Sequence, residues 1–221
     1  MAWVEFVLAF LVFFASHSIL IRPPVKPWLV ARIGSRGFTA FYVILSLAVL
    51  AWLINAAGQA PYVELWPWAP WQSHVTLALM LPACLLLAMS IARPNPFSFG
   101  GALNDRFDPE HPGIIRWTRH PLLAVLALWA MAHLLPNGDL AHALVFGSFA
   151  AFALFGIRLV DQRKRLELGD EWQRLLTRVQ ASRVIPKPVY YRALVFRLSV
   201  GIGLFYALIW LHPLILGVSL V

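Results

Sequence analysis

The chain has 221 residues, of which 60% are hydrophobic and 13% are charged, and its formal net charge is +8 at pH 7. Charged residues make up roughly a quarter of an ordinary soluble domain, so this composition excludes a soluble globular fold. It predicts an all-α fold, a polytopic membrane helix bundle whose surroundings are the lipid bilayer.

Six apolar segments predict about six transmembrane helices. Most approach the roughly 20 residues that a helix needs to cross the hydrocarbon core, and the fourth is the shortest. The first segment carries Glu5 and has no basic residue before it, so we interpret it as a retained helix rather than a signal peptide. No repeat or long linker divides the chain, which favours one domain over residues 1–221. The segments are 2–21, 38–57, 73–92, 121–135, 140–157 and 194–217.

The distribution of positive charge predicts the orientation in the membrane. All 18 Lys and Arg residues lie in three stretches, 22–36, 93–119 and 158–197, and the alternate gaps hold none. Lys and Arg in short loops mark the cytoplasmic side. We therefore expect a protein of the bacterial inner (plasma) membrane with both termini on the periplasmic side. This rule accounts for the net charge without a nucleic acid partner.

The loop 93–113 leads into basic residues at the start of the fourth segment. Its four prolines and three glycines exclude a regular helix, and we expect a lid or re-entrant segment over a cytoplasm-facing cavity. Pro121 suits the first turn of a helix, which would gather Arg116, Arg119 and His120 at a helix N-terminus. That cluster predicts an anion site for a haem propionate, a cofactor carboxylate or a lipid headgroup. The alternative is that both arginines only mark the cytoplasmic interface.

Several histidines lie within or beside the apolar segments, among them His17, His133, His142 and His212. Ionisable residues inside a membrane are costly and indicate function by default. Each histidine alone fits a hydrogen-bonded structural residue, whereas several together fit a metal or haem site, since neutral imidazole is a common metal ligand. We expect no buried acidic residue near them, which leaves haem or a histidine-only site rather than an oxygen-rich metal cage.

The stretch after the fifth segment predicts an amphipathic cytoplasmic helix. Gly169 is a helix stop, and Asp170 is a candidate N-cap. We expect the apolar face of this helix to lie on the inner membrane surface. The residues of that face recur at i, i+3, i+4 and i+7, as Trp172, Leu175, Leu176 and Val179.

Three stretches resemble the NnrU family of bacterial membrane proteins: Ser16-His17-Ser18, NPFSFGGALNDRFDP and GIIRWTRHPLLAVLALWAMAHLLPNGDLAH. The resemblance implies a role in denitrification and nitric oxide metabolism. The family is in turn similar to zeta-carotene isomerase, which uses haem b, and this similarity implies His17 and His133 as haem ligands. His120 of the RHP motif is the rival ligand, because its expected depth suits pairing with His17. Arg116 and Arg119 would then bind the propionates.

The order of RHP, a charged stretch and a terminal IP also resembles isoprenylcysteine carboxyl methyltransferase, whose RHP region helps to hold S-adenosylmethionine. That family has paired glutamates where this chain has Asp161-Gln162. Three functions therefore stand. The first is a haem b protein with a redox, isomerase-like or nitric-oxide-related role, acting on a small hydrophobic or gaseous ligand. The second is a membrane methyltransferase that holds the cofactor carboxylate through His120 and the arginines. The third is a non-catalytic accessory factor for denitrification or respiratory enzymes.

Overall fold

The structure, a computed structural model, describes residues 2–99, 102–185 and 190–217. Over these ranges the chain forms seven α-helices and no β-strand, which confirms the all-α membrane bundle. Gly100, Gly101, Pro186 and Lys187, which entered the sequence interpretation, lie outside the described residues. The helices are α1 (Ala2–Ile19), α2 (Val25–Gln59), α3 (Pro70–Ser90), α4 (Pro121–Leu134), α5 (Leu140–Leu168), α6 (Asp170–Ala181) and α7 (Tyr191–Leu216).

Five helices in the described part of the chain are long and apolar enough to cross a membrane, namely α1, α2, α3, α5 and α7. The apolar helix α4 has only 14 residues. At 1.5 Å per residue it is about 21 Å long, less than the hydrocarbon thickness of roughly 30 Å. The chain is therefore a multi-pass membrane protein whose fourth apolar segment forms a shorter helix.

Two helices extend beyond the predicted apolar segments. Helix α2 begins at Val25 and is broken at Gly34, whose φ of +73° is a conformation that glycine adopts without a side-chain clash. Helix α5 continues to Leu168, past the predicted end at residue 157. Gly169, with φ +54°, then ends it as predicted. Helix α6 begins at Asp170, so Gly169 rather than Asp170 occupies the N-cap position.

The chain divides into two compact units. The first comprises the residues up to Pro67 together with Asn137–Val145, and the second comprises Trp68–Pro136 and the residues from Phe146 onward. In the first unit α1 packs against α2, and the indole N–H of Trp52 donates to Glu5 at 3.3 Å. The interpretation of residues 1–221 as one domain stays a prediction.

Within the first unit, residues 137–140 at the start of α5 pair with the loop after α2. The carbonyl of Gly138 accepts the backbone N–H groups of Leu65 at 2.7 Å and Trp66 at 3.2 Å, while Leu140 donates to Val63 at 2.9 Å. A Cβ on Gly138 would lie 1.9 Å from the carbonyl oxygen of Trp66. Only glycine therefore allows this close approach of the two backbones.

In the second unit, α3 packs against both α4 and α7. Gly201 of α7 lets the helices approach, because a Cβ there would lie only 3.0 Å from the Cα of Leu85. Toward α4, the hydroxyl of Thr76 donates to the carbonyl of Ala132 at 2.8 Å. Small residues and hydroxyl groups of this kind are typical of helix contacts in membranes.

The apolar face of α6 packs against the chain's own loop between α3 and α4. Trp172 and Val179, each 2% exposed, form a buried cluster with Phe97 and Ile115 of that loop. The prediction of an amphipathic helix is confirmed. The expectation that its apolar face lies on the membrane surface was wrong, because Phe97 and Ile115 already cover that face.

Candidate functional site

His120 lies at the junction between the loop and α4. Pro121 is the first residue of α4, as predicted, and its missing N–H leaves no donor unpaired there. The carbonyl of His120 accepts the N–H of Ala124 at 3.0 Å and so begins the helical hydrogen bonding. The His120 side chain is only 2% exposed. The junction therefore fixes the imidazole in the protein interior.

Both ring nitrogens of His120 have protein partners. Nε2 lies 2.8 Å from Oδ1 of Asp161, and Nδ1 lies 3.0 Å from the hydroxyl oxygen of Ser98. A carboxylate only accepts hydrogen bonds, so Nε2 carries the proton that it donates to Asp161. Nδ1 contacts the hydroxyl group of Ser98. Neither nitrogen is free to bind iron in this arrangement.

Arg119 and His120 converge on Asp161. The guanidinium of Arg119 donates through Nε to Oδ1 at 3.1 Å and through Nη2 to Oδ2 at 2.5 Å, a two-pronged pairing that is stronger than a single hydrogen bond. The Asp161 carboxylate therefore occupies the anion position that the sequence assigned to a propionate or a cofactor carboxylate. No acidic partner for His120 was predicted from the sequence.

Asn95 ties the loop to this cluster. Its side-chain amide donates to the carbonyl of Arg119 at 2.9 Å, and its side-chain oxygen accepts the N–H of Phe97 at 3.1 Å. Its own backbone N–H donates to the side chain of Asn104 at 2.8 Å. Asn95 is 5% exposed and Ser98 is 4% exposed, so these contacts lie in the interior. The loop is structured by buried polar contacts.

The segment before His120 also holds the end of α6. Nε of Arg116 donates to the carbonyl of Ser182 at 3.3 Å, and the indole N–H of Trp117 donates to the carbonyl of Val184 at 2.6 Å. Arg116 therefore contributes to packing at this end of α6. It does not join the contacts around Asp161.

Sequence reasoning missed Ser98, Asn95 and the role of Asp161. The two loop residues carry no distinctive spacing, so no sequence signal identified them. Asp161 did offer a signal, because it is an acidic residue just after the apolar part of α5. A carboxylate at that position needs partners, and the neighbouring RHP motif supplies them.

His17 and His133 share one local geometry. Nδ1 of each ring lies 2.8 Å from the backbone carbonyl four residues earlier, that of Phe13 for His17 and that of Trp129 for His133. A carbonyl only accepts, so Nδ1 carries a proton in both rings, and the contact fixes the ring orientation. His17 stacks on Phe13 at 4.1 Å between centroids, and His133 lies 5.4 Å from the ring of Phe146.

The histidines near the N-termini of α3 and α5 also have protein partners. His74 repeats the pattern of His17, with Nδ1 3.0 Å from the carbonyl of Pro70. Asp139 caps α5 by accepting the backbone N–H of His142 at 3.2 Å, and it also binds Nδ1 of that ring at 2.7 Å. In the described ranges no group of three or more His, Cys, Asp or Glu residues could hold a metal ion.

One protein-family model matches nearly all of the chain. The family model described as NnrU protein covers residues 5–220. The chain belongs to the NnrU family. No curated protein and no solved structure matches it. The resemblance inferred from the RHP and LPNGD sequences is thus confirmed, and NnrU membership extends over both units.

In this NnrU protein the residues predicted to hold a cofactor fall into separate groups. Arg119 and His120 meet at Asp161, and Arg116 precedes them on the same segment. His133 lies further along α4 in the same unit, whereas His17 belongs to the first unit. The assignment of these five residues to haem b, and of His120 and the arginines to S-adenosylmethionine, stays a prediction.

Proposed function

We propose that this NnrU protein binds haem b through His133 and His17. The observation that carries the proposal is the hydrogen bond from Nδ1 of each ring to a backbone carbonyl. Histidines that bind metals commonly donate the other ring N–H to such an acceptor, which fixes the tautomer and orients the ring. Both side chains lie in apolar helices, where an ionisable residue is by default functional. Similarity of the family to zeta-carotene isomerase supports the same pair.

The residues around the two histidines fit an apolar, planar cofactor. Phe13 beside His17, and Trp129 and Phe146 beside His133, supply aromatic surfaces within each unit. These side chains would exclude water from the ligand nitrogens, while the carbonyl partners fix the tautomer and the orientation of the rings. Bound haem would supply an iron centre suited to one-electron chemistry or to a small ligand such as nitric oxide.

The proposed haem site does not include Arg119 and His120 of the RHP motif. Both ring nitrogens of His120 are engaged, and Arg119 is paired with Asp161. Helix α4 rises about 18 Å between Pro121 and His133, at 1.5 Å per residue, and Arg116 and Arg119 precede Pro121, so they lie at the other end of α4 from the proposed ligand. The proposal therefore assigns no propionate to Arg116 or Arg119.

The structure gives little support to a methyltransferase. That function requires Arg119 and His120 to hold the carboxylate of S-adenosylmethionine, and both side chains already donate to the Asp161 carboxylate. A non-catalytic accessory function is the second candidate. It is favoured by the contacts of His120, Asn95 and Asp161, all of which join parts of the chain to one another.

The test is the visible absorption spectrum of protein purified in mild detergent from cells supplied with haem precursor, measured oxidised and reduced. We expect a Soret band in the wild type that is lost or shifted in His17→Ala and in His133→Ala. His74→Ala is the matched control, because His74 makes the same carbonyl contact but is not a proposed ligand. A colourless wild type would contradict haem binding and favour the accessory function.

We further propose that this role is redox, isomerase-like or related to nitric oxide, in a protein of the bacterial plasma membrane with both termini in the periplasm. The positive residues in alternate gaps support this orientation. Cysteines introduced singly near Tyr62 and near Arg174, and labelled from outside intact spheroplasts, test it. Labelling near Tyr62 alone is expected, and labelling near Arg174 alone would reverse the orientation.

A further inference from the structure

A strained turn follows α3 and leads into Arg93. The helix ends at Ser90, and Ala92 has a φ of +54°. Residues other than glycine seldom adopt this conformation, and proteins keep it where neighbouring contacts impose it, often beside ligands. The turn sets the position of the Arg93 side chain at the end of the helix.

The guanidinium of Arg93 is partly buried, and no carboxylate in the described part of the chain forms an ion pair with it. One of its terminal nitrogens, Nη2, lies against Gly113, 3.4 Å from where a Cβ on that residue would be. Among the described residues, no carboxylate or carbonyl accepts a hydrogen bond from this guanidinium. Burial, and secondarily the charge of Arg197, lower the pKa of Arg93 from its ordinary value. A partly buried charge of this kind is costly unless something pairs with it.

A second guanidinium, that of Arg197 in α7, lies at the same end of α3. Its Nη1 atom donates to the carbonyls of Ala88 at 2.7 Å and Ile91 at 2.9 Å. These acceptors hold the group in place, and the partial negative charge of a helix C-terminus stabilises it. The two carbonyls carry only a partial charge. In the described part of the second unit, no carboxylate pairs with Arg93 or Arg197.

We propose that Arg93 and Arg197 bind a phosphate-bearing anion at the end of α3. The planar guanidinium matches phosphate geometry and forms charge-assisted hydrogen bonds with it. The anion would offset the repulsion between the two arginines and use the donors that Arg93 leaves unpaired. An anionic lipid headgroup or free phosphate would supply this chemistry. The site is distinct from the contacts of Arg119 and from the proposed haem ligands.

The test measures the thermal unfolding midpoint of the full chain in detergent while one additive is titrated. The additives are dioctanoyl phosphatidylglycerol, dioctanoyl phosphatidylcholine and inorganic phosphate. The test variant is Arg93→Gln, because this side chain donates no hydrogen bond to a described residue and its loss should spare the fold. The matched control is Arg174→Gln, which removes the same charge from an exposed arginine paired with Glu171.

We expect saturable stabilisation of the wild type by phosphatidylglycerol and about tenfold weaker binding in Arg93→Gln, the order expected for one charge-assisted hydrogen bond. Arg174→Gln should bind as the wild type does. Equal stabilisation by inorganic phosphate would support the site with a soluble anion as its source. Binding unchanged in Arg93→Gln, or stabilisation by none of the anions, would overturn the proposal.

Discussion

Replacing Asp161 with asparagine should destabilise the contacts that join the loop, α4 and α5. The change removes the carboxylate to which both Arg119 and the buried His120 donate. The asparagine amide has only one oxygen, so its N–H₂ group faces one of these two donors and cannot accept from it. Removing one partner of a fully buried ion pair costs roughly 3–5 kcal/mol. The side chains of Arg119 and Asp161 are 31% and 19% exposed, so water compensates in part. We therefore expect a loss of about 2 kcal/mol.

The assay is thermal unfolding in detergent followed by tryptophan fluorescence. Trp172 is one of ten tryptophans that contribute to this signal, and its ring centroid is 5.9 Å from the guanidinium carbon of Arg119. At roughly 2–4 °C per kcal/mol for a chain of this size, the midpoint should fall by about 6 °C. Glu171→Gln is the control, since its exposed pair with Arg174 should contribute under about 0.5 kcal/mol. Equal midpoints for Asp161→Asn and Glu171→Gln would refute this reasoning.

Three further substitutions test the helix and loop contacts. Gly138→Ala should separate the paired backbones beside Trp66, because the new Cβ would lie 1.9 Å from a carbonyl oxygen. Proteolysis between residues 60 and 67 should then be faster, and an unchanged rate would contradict the expected separation. Gly201→Ala should cost about 1–3 kcal/mol by overpacking α3 against α7, whereas Gly203→Ala, with no atom within 4 Å, should leave the midpoint unchanged or raised. Thr76→Val should lose about 1 kcal/mol as its hydrogen bond to α4 disappears; a midpoint equal to that of the wild type would count against that bond.

The sequence predicted the features that follow from local patterns. Apolar segments near membrane-spanning length identified the helices, and Gly169 and Pro121 marked a helix end and a helix start at the right residues. The amphipathic pattern of α6 was also correct. In each case the physical cause, burial of apolar residues or a restricted backbone, acts within a few neighbouring residues and can be read from spacing.

The features that the sequence did not predict depend on contacts between distant segments. The partner of His120 is Asp161, 41 residues later, and spacing does not reveal such a pair. The apolar face of α6 fits a membrane surface as well as a protein surface by pattern alone, and the buried contact with Phe97 distinguishes them. Gly138 reads as an ordinary turn residue until the backbone of Trp66 is seen beside it.

The most direct measurement of haem binding through His17 and His133 is low-temperature electron paramagnetic resonance of the oxidised protein. Two imidazole ligands on one ferric iron predict a low-spin signal in the wild type. His17→Ala and His133→Ala should each convert it to a high-spin signal, while His74→Ala and His120→Ala should leave it unchanged. A low-spin signal that survives in both His17→Ala and His133→Ala would contradict the assigned pair, and no haem signal at all would contradict haem binding.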